Sequence, residues 1–272
     1  MRYVVTGASG FIGKKLLSQM SSRDLDVIPV SRSLMKHPRA VCVEDYGDSP
    51  EGDVLIHLAA NSTSSSCLSD DQKHRHFEIK IAEKLLSKRY QHIIMASSAM
   101  VYGDSSPRIH TPRDVTAPDN PYAKTKLEIE NILTCQECTI ARLSNLFGHG
   151  MSPTTVIASI IEQAKKGTSV KVRDISPVRD FLWAGDATDA LVRMALSPET
   201  GIYNVGSGKS ESIGRVLEIA CEISGSESGL FDSNVSSGDY FSTIKLDIND
   251  TVETYGWTPK VDLRDGIKML LQ

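Results

Sequence analysis

The sequence has 272 residues, of which 40% are hydrophobic and 24% are charged, and its formal net charge is −4. This length fits one large α/β domain with a smaller appendage. The slightly acidic balance gives no reason to expect nucleic acid or an anionic membrane as a partner. No apolar run approaches the ~20 residues of a membrane span, and the chain enters a strand pattern at once, so we expect neither a membrane anchor nor a signal peptide.

The cysteines are few and scattered, and their number is odd. This usage predicts reduced thiols and a cytoplasmic location. Cys135 and Cys138 form a single C-x-x-C, which we interpret as coincidence because no second pair accompanies it. His74 and His76 are two residues apart and would not share a helix face. No metal site is therefore expected.

The N-terminal segment has the pattern of a strand, a glycine turn and a helix. An apolar strand over residues 2–5 leads into Gly7, Gly10 and Gly13, and apolar residues then recur at helical spacing over residues 14–20. The first glycine permits a tight turn, the second lets the backbone approach a pyrophosphate, and the third lets the helix pack closely on the strand. The pattern predicts a dinucleotide site, the alternative being an ordinary strand-to-helix turn.

The end of the second predicted strand bears on the choice of dinucleotide. This strand covers residues 27–30 and is followed by Ser31-Arg32-Ser33. In Rossmann folds that bind NAD, an acidic residue near this point holds the ribose 2′-hydroxyl. Here the acid is absent, and a guanidinium between two hydroxyls would attract a 2′-phosphate. We therefore expect NADP(H) to be favoured, with NAD(H) still possible if Arg32 is only a solvated loop residue.

The middle of the chain continues the alternation of strands and helices. Short strands are predicted over residues 41–43 and 53–60, and the second of these is apolar throughout, as in a parallel strand covered on both faces. His57 in that run is interpreted as a core histidine. The serine-rich stretch 61–72 is either a mobile loop over a site or a solvated connector.

A further helix–strand–helix series completes the first half of the chain. The periodicity predicts an amphipathic helix over residues 77–90, an apolar strand over 93–98 and a second helix over 121–133. Tyr122 and Lys126, four residues apart on that helix, project from one face. The fold class predicted is α/β, with a Rossmann-type doubly wound parallel sheet and a small C-terminal α/β lobe.

The ordered set of motifs resembles the extended short-chain dehydrogenase/reductase family of sugar-nucleotide epimerases, dehydratases and reductases. The resemblance begins with the turn TGASGFIG, the strand end HLAA, the segment SSAMVYG and the Y-x-x-x-K pair, all in family order. It continues with ARLSNLFG at 141–148, RDF at 179–181, YNVGSG at 203–208 and YGWTP at 255–259. Each motif alone is weak, but the series spans almost the whole chain.

The resemblance implies a catalytic set of Ser98, Tyr122 and Lys126. Tyr122 would exchange a proton with the reacting oxygen, Ser98 would hydrogen-bond that oxygen, and Lys126 would hold the nicotinamide ribose. Because a nearby ammonium stabilises phenolate, we expect the pKa of Tyr122 to lie below the ordinary value of about 10. Tyr102 would form a wall of the site. The alternative for the Tyr122–Lys126 pair is an exposed helix pair without function.

The same resemblance implies residues that contact the cofactor and the substrate. The expected cofactor residues are Gly7, Ser9, Gly10, Phe11, Ile12, Gly13, Ser31, Arg32, Ser33, Asp45, Tyr46, Leu58, Ala59, Ala60, Ser97, Tyr122 and Lys126. The expected substrate residues are Ser98, Ala99, Tyr122, Asn145 and Arg179. Asn145 and Arg179 match positions where the family contacts the substrate diphosphate, although Arg179 could instead form an ion pair.

Departures from the family pattern narrow the expected reaction. The acidic pair of the dehydratases is replaced by Ala99 and Met100, and the acid typical of the epimerases is replaced at Ser31-Arg32. We therefore expect an NADP(H)-dependent reductase of a keto group on a nucleotide-linked deoxysugar. A 4-epimerase with tightly bound NAD, and a catalytically silent cofactor-binding regulator, are the alternatives. The family's second phosphate arginine falls on Ser236, which weakens the diphosphate assignment.

Domain organisation follows from the same order of motifs. Residues 1–148 are expected to form the dinucleotide-binding domain, with parts of 180–206 returning to it, and residues 149–272 mainly a substrate-binding lobe. The expected partner is a nucleotide sugar or a related small molecule, with no nucleic acid and no membrane. The resemblance also implies a possible homodimer formed through the helices near 77–90 and 121–134.

Overall fold

The computed structural model describes residues 1–60, 71–133, 137–167, 169–230 and 242–272. Three of the sequence-based interpretations concern positions outside the described residues. These are the serine-rich stretch up to residue 70, Cys135 of the C-x-x-C pair, and the segment around Ser236.

The strands are short and alternate with helices along the chain. They are β1 (Arg2–Thr6), β2 (Asp26–Ser31), β3 (Val41–Cys42), β4 (Val54–His57), β5 (His92–Ser98), β6 (Ser105–His110), β7 (Cys138–Leu143), β8 (Asn145–Phe147), β9 (Val170–Val172), β10 (Val178–Trp183), β11 (Gly201–Val205), β12 (Ser210–Ser212), β13 (Ser228–Leu230) and β14 (Thr243–Leu246). The helices are α1 (Phe11–Ser21), α2 (Asp71–Leu86), α3 (Pro121–Leu133), α4 (Val156–Lys165), α5 (Ala184–Leu196), α6 (Ile213–Ser224), α7 (Asn249–Tyr255) and α8 (Leu263–Leu271).

A seven-stranded sheet forms the centre of the molecule. Its strand order is β11-β7-β5-β4-β1-β2-β3, and every neighbouring pair is parallel. The order reverses at β1, so the crossover helices cover both faces, as the alternating sequence pattern predicted. All the carboxyl ends of the strands therefore meet at one edge, where ligands bind in folds of this kind.

Two apolar cores lie on opposite faces of this sheet. On one face α1 and α5 pack together, with Leu16, Met20 and Leu191 fully buried. On the other face α2 and α3 pack together, with Ile81 and Ile129 nearly as deeply buried. The strands between them are buried on both sides, which explains why β4 is apolar rather than alternating in sequence.

A smaller sheet and three helices build the second part of the molecule. This sheet has the order β12-β10-β14-β6, with β8 paired to β10. Helices α4, α6 and α8 pack around a separate core that includes Phe147, Ile160 and Val216. Residues 184–205 belong to the main sheet and its faces, because β11 pairs with β7 and α5 packs on α1.

Helix α2 differs from the predicted range. It begins at Asp71 and ends at Leu86, rather than covering 77–90, so His74 and His76 lie within it. The start was predicted from the first apolar residues of the segment. The first turns of α2 are polar and exposed, so they show no apolar periodicity from which a helix could be predicted. Among the described residues, no helix is long and apolar enough to cross a membrane.

Candidate active site

A cleft of about 460 Å³ opens at the carboxyl edge of the main sheet. The first turn of α1, the ends of β4 and β5, one face of α3 and the segment between β7 and α4 line it. Of the residues predicted to bind cofactor, the cleft is lined by Gly7, Gly10, Phe11, Ile12, Gly13, Leu58, Ala60, Ser97, Tyr122 and Lys126. The structure thus brings the glycine turn and the catalytic set to one cavity.

The glycine turn has the geometry that a dinucleotide requires. Gly7 adopts φ +70°, and a Cβ there would lie 2.8 Å from the Ala59 backbone nitrogen. A Cβ on Gly13 would lie 2.3 Å from the Gly7 carbonyl oxygen, so only glycine allows this approach of helix and strand. Gly10 is the N-cap of α1 and has no side chain to occupy the free N–H groups of the first turn. These groups can hold a pyrophosphate.

Ser98, Tyr122 and Lys126 all line the cleft. Ser98 ends β5, and its Oγ accepts a hydrogen bond from the Met100 backbone N–H at 3.2 Å. Tyr122 and Lys126 lie on α3, with Lys126 Nζ 6.0 Å from the centre of the Tyr122 ring. Lys126 Nζ donates to the Ala96 carbonyl oxygen at 2.8 Å, which ties α3 to β5. The structure thus brings these three side chains together in one cleft.

The electrostatics of the catalytic pair differ from the prediction. Burial raises the pKa of Tyr122 to about 12, the hydrogen bond with Ser98 opposes this rise, and Glu78 adds to it. Burial lowers the pKa of Lys126 to about 8, against the opposing effects of Glu78 and Glu130. The expectation that Lys126 would lower the pKa of Tyr122 is wrong for this structure, because burial dominates and the ammonium is directed at the Ala96 carbonyl. Tyr122 is thus protonated at neutral pH and suited to donate a proton.

His57 is a neutral core histidine. It is buried in β4, and its Nδ1 forms a hydrogen bond of 2.7 Å with Thr6 Oγ1 of β1. Burial, with the nearby charge of Lys126, lowers its pKa to about 3. The imidazole therefore carries no charge near neutral pH.

The residues predicted to select the dinucleotide lie beside the glycine turn but outside the cleft. Ser31 is buried, and its Oγ donates to Ser9 Oγ at 2.7 Å and accepts from the Ser33 backbone N–H at 3.0 Å. Arg32 is exposed, with its guanidinium carbon 5.4 Å from the centre of the Tyr46 ring. In the described part of the chain, no carboxylate pairs with Arg32. A planar cation on an aromatic ring offers a surface for an adenosine phosphate.

Asp45 is engaged by its own neighbours. Its carboxylate accepts from the Gly47 backbone N–H at 2.8 Å and from Lys84 Nζ of α2. Burial opposes ionisation of Asp45, but these two donors outweigh it and hold the pKa of this carboxyl below its ordinary value. The carboxylate is thus tied to α2 rather than free to accept from a ribose.

Ser97 and Tyr102 take roles that the sequence did not indicate. The Ser97 hydroxyl donates to Glu130 of α3, so this side chain is directed away from the cleft although the residue borders it. Tyr102 is buried outside the cleft, and its hydroxyl donates to Asn204 Oδ1 at 2.7 Å. The interpretation of Tyr102 as a wall of the site is therefore wrong. Both side chains point into the buried region behind the carboxyl edge of the main sheet, where the cleft opens (the catalytic edge).

The residues predicted to bind substrate divide into two groups. Ala99 and Asn145 line the cleft together with Ser98 and Tyr122. Arg179 does not: its guanidinium bonds to Asp104 Oδ2 at 3.2 Å, to the Ser242 carbonyl oxygen at 2.7 Å and to the Ser242 hydroxyl. Of the two interpretations left open for Arg179, the structure shows the ion pair.

The cleft also contains residues that the sequence analysis did not name as ligands. They include Ser144, Met151, Ser152 and Thr155, which lie between β7 and the start of α4. Thr155 is the N-cap of α4 and accepts from the Ala158 backbone N–H at 3.4 Å. A threonine before an apolar run predicts a helix start, but no local signal predicts that this start lies opposite α1.

Comparison with protein families agrees with this geometry. The sequence profile of the NAD dependent epimerase/dehydratase family matches residues 3–206, roughly three quarters of the chain. The chain belongs to this family. It is accordingly an NAD(P)-dependent oxidoreductase or epimerase of the extended short-chain dehydrogenase/reductase type, as the ordered motifs predicted.

Individual relatives extend over the full chain. A putative UDP-glucose 4-epimerase of Methanocaldococcus jannaschii is 27% identical over 98% of this chain and 96% of its own length. A GDP-6-deoxy-D-mannose reductase of Pseudomonas aeruginosa is 26% identical, covering 99% of this chain and 96% of the relative. Relatives at similar sequence identity thus carry the names of different reactions.

A solved structure confirms the fold. The structure of RMD from Pseudomonas aeruginosa complexed with NADPH superposes with a TM-score of 0.83 over 99% of this chain and 97% of that chain, at 24% sequence identity. The likeness covers both the seven-stranded sheet and the smaller C-terminal part.

Proposed function

We propose that this protein is an NADP(H)-dependent reductase that transfers hydride to the keto group of a nucleotide-linked deoxysugar. The observation that carries the proposal is the cleft formed by the α1 glycine turn and by Ser98, Tyr122 and Lys126. The raised pKa of Tyr122 is consistent with a role as proton donor, because the phenol holds its proton at neutral pH.

Each catalytic side chain has a distinct task in this proposal. The dinucleotide, when bound, supplies the hydride that attacks the carbonyl carbon of the substrate. Ser98 donates a hydrogen bond to the carbonyl oxygen and stabilises the charge that develops on it. Tyr122 transfers its phenolic proton to that oxygen, which leaves an alcohol. Lys126, bound to the Ala96 carbonyl at the edge of the cleft, would hold the nicotinamide ribose.

The preference for NADP(H) rests on the adenosine end of the site. Arg32 lies over Tyr46, and the next residue, Ser33, is exposed, so a 2′-phosphate would meet a guanidinium and the Ser33 hydroxyl. Asp45, the nearby acid, is bound to Lys84. A phosphate ester would gain a charge-assisted contact with Arg32 that a ribose hydroxyl cannot provide.

The substrate class rests on the relatives and on the cleft beside Tyr122. The two relatives act, by their names, on sugars linked to a nucleoside diphosphate. Ala99 and Asn145 border the cleft next to Ser98 and would contact the sugar. Residues 149–272 would supply most of the remaining substrate contacts, since α4 begins at the cleft.

A 4-epimerase with tightly bound NAD is the second candidate. The family description, NAD dependent, and the 27% identity to a putative UDP-glucose 4-epimerase favour it. The same Ser98 and Tyr122 would then serve oxidation and reduction in turn. A catalytically silent regulator is the third candidate, against which the intact Ser98, Tyr122 and Lys126 argue.

Cofactor binding distinguishes these candidates. Purified protein is denatured to identify any retained dinucleotide, and fresh protein is titrated with NADPH and NADH by fluorescence. We expect no retained cofactor and tighter binding of NADPH. Arg32→Ala should weaken NADPH binding about tenfold or more and leave NADH binding unchanged. Arg39→Ala is the matched control, because Arg39 is similarly exposed but pairs with Asp26.

Other outcomes of this titration are decisive as well. Stoichiometric bound NAD(H) would support the epimerase and overturn the role of Arg32. Binding of neither nucleotide would contradict the catalytic proposal as a whole.

We also propose a homodimer in the cytoplasm. Helices α2 and α3 pack side by side and are joined by the Arg75–Glu128 ion pair at 2.6 Å. They border an open groove on the outside of the molecule that a second copy could cover. Light scattering on the purified protein should give twice the chain mass of 29.7 kDa.

A further inference from the structure

A buried ion pair lies directly behind the catalytic edge. Glu130 of α3 and Arg142 of β7 are only 1% and 3% exposed. Arg142 Nη2 lies 2.7 Å from Glu130 Oε2, and Arg142 Nε lies 3.2 Å from both carboxylate oxygens. Two charges this deeply buried are held together by a two-point contact.

Glu130 also joins the two elements that carry the catalytic residues. It lies one helical turn after Lys126 on α3, and it accepts a hydrogen bond from the hydroxyl of Ser97 on β5. Lys126 donates to Ala96 of the same strand. Two adjacent residues of β5 are thus attached to α3, and the next residue is Ser98. These two attachments fix the distance between Ser98 and Tyr122.

The other end of the pair is anchored towards the smaller sheet. The Arg142 guanidinium lies 4.8 Å from the centre of the Tyr102 ring, and the Tyr102 hydroxyl donates to Asn204. The Asn204 amide in turn donates to the carbonyl oxygens of His110 and Asp247 at 2.9 Å each. Arg142 is therefore held on both sides, which fixes the carboxylate of Glu130.

Fold stability alone is a weak reason for such a pair. Apolar residues of similar volume often replace a buried ion pair with no loss of stability. A carboxylate at this position accepts a hydrogen bond from the Ser97 hydroxyl, which an apolar side chain cannot do. It also places a negative charge near the Lys126 ammonium. Glu78 of α2 contributes a second negative charge there, and His57 of β4 is neutral.

We propose that Glu130 is a positioning residue, held in place by Arg142, that aligns Ser98 with Tyr122 through Ser97 and contributes to the electrostatic environment of Lys126. This inference rests on the proposed function for its catalytic consequence. Its electrostatic consequence concerns Lys126 in the protein without ligand and does not depend on which substrate is used.

Two sets of variants separate the charge from the hydrogen bond. Glu130→Gln/Arg142→Gln removes both charges together, so no single charge stays buried, and keeps an acceptor for Ser97. Ser97→Ala keeps both charges and removes the hydrogen bond. Glu130→Leu/Arg142→Met replaces the double glutamine variant if the latter fails to fold. Ile160→Val, in the separate core around α4, is the control for mild destabilisation.

The direct measurement is the pH dependence of Lys126 acylation by an amine reagent, followed by mass spectrometry of the folded protein. The midpoint for wild-type protein should lie near the pKa of about 8. The double variant should lower that midpoint by roughly one pH unit, because Glu130, unlike Arg142, is among the charges that act on Lys126. Ser97→Ala and Ile160→Val should leave it unchanged. An unchanged midpoint in a folded double variant overturns the electrostatic part of the proposal.

Steady-state reduction of a nucleotide-linked 4-keto-deoxysugar tests the alignment. We expect Ser97→Ala to lower kcat roughly 10-fold and the double variant roughly 10- to 100-fold, with KM changed less than about threefold. Ile160→Val should match wild type. A kcat within twofold of wild type in folded Ser97→Ala protein overturns the alignment role. Absence of turnover in the wild-type protein itself counts against the proposed function, whereas the acylation midpoint still decides the role of Glu130.

Discussion

The catalytic edge of the main sheet and the region around Arg179 differ in how well their sequence motifs predicted their geometry. At the catalytic edge, the glycine turn, Ser98 and the Tyr122–Lys126 pair meet in one cleft. Around Arg179, the motif residue is bound to Asp104 and Ser242 and does not line that cleft.

The contrast between these two regions shows how far a local motif determines the geometry of a site. The glycine turn is continuous in sequence and acts through its own backbone, so the motif contains most of its geometry. Arg179 has a long side chain, and the groups it contacts, Asp104 and Ser242, are far away in sequence. The partners of such a side chain depend on the packing of three separate segments. Four predictions test this contrast, in decreasing order of the change that each variant should produce.

The largest effect is expected for Tyr122→Phe. Loss of the phenolic proton donor should reduce kcat for ketone reduction by about 10²- to 10⁴-fold, with dinucleotide affinity retained. Tyr90→Phe is the control, because its hydroxyl donates to the Pro50 carbonyl oxygen away from the cleft. A Tyr122→Phe protein that keeps its biological function would support the regulator.

Gly13→Ala tests the backbone geometry of the glycine turn. The new Cβ would lie 2.3 Å from the Gly7 carbonyl oxygen, so α1 must move away from β1. We expect a loss of about 3 kcal/mol in the free energy of unfolding, together with weaker dinucleotide binding. Gly214→Ala, at the start of α6, has only ordinary contacts at 3.4 Å or more and should unfold like wild type. Equal denaturation midpoints for the two variants would refute this account.

His57 should produce a dependence of stability on pH. Because its pKa is lowered from 6.5 to about 3, the unfolded chain binds a proton before the folded protein does. Stability from this group is complete above pH 6.5 and is lost as the pH falls towards 3. By pH 4 the loss amounts to about 3 kcal/mol, which His57→Gln should remove.

Urea denaturation at pH 7 and pH 4 measures this difference. His149→Gln, an exposed histidine, should keep the wild-type pH dependence. If His57→Gln loses as much stability as wild type between the two pH values, the buried neutral histidine is not the cause.

The smallest of the four effects is expected for Arg179→Met. Removing a half-buried guanidinium that pairs with Asp104 should cost about 2 kcal/mol of stability. Because Arg179 lies outside the cleft, KM for the sugar substrate should change less than about threefold. Arg264→Met, which breaks an exposed pair with Glu222, should leave the free energy of unfolding nearly unchanged. A tenfold rise in KM at unchanged stability would instead place Arg179 at the substrate.

The amino-acid sequence was sufficient to predict the fold class and to select three side chains, those of Ser98, Tyr122 and Lys126, that line one cleft. Alternating apolar strands and amphipathic helices specify a doubly wound parallel sheet, because each strand must be covered on both faces. The helical period places Tyr122 and Lys126 on one face of α3. Gly7 and Gly13 stand where close backbone contacts leave no room for a Cβ. Both kinds of information are local, so they can be read within a few residues.

The protonation of Tyr122, the role of Ser97 and the partners of Arg179 depend on tertiary packing. Burial raises the pKa of Tyr122, and burial is a property of the packed molecule rather than of the Y-x-x-x-K spacing. Ser97 donates to Glu130 on another element, and Arg142 completes that contact from a third. Such contacts join residues that are distant in sequence. Their free energies depend on the exclusion of water, and a local sequence pattern does not predict how far water is excluded.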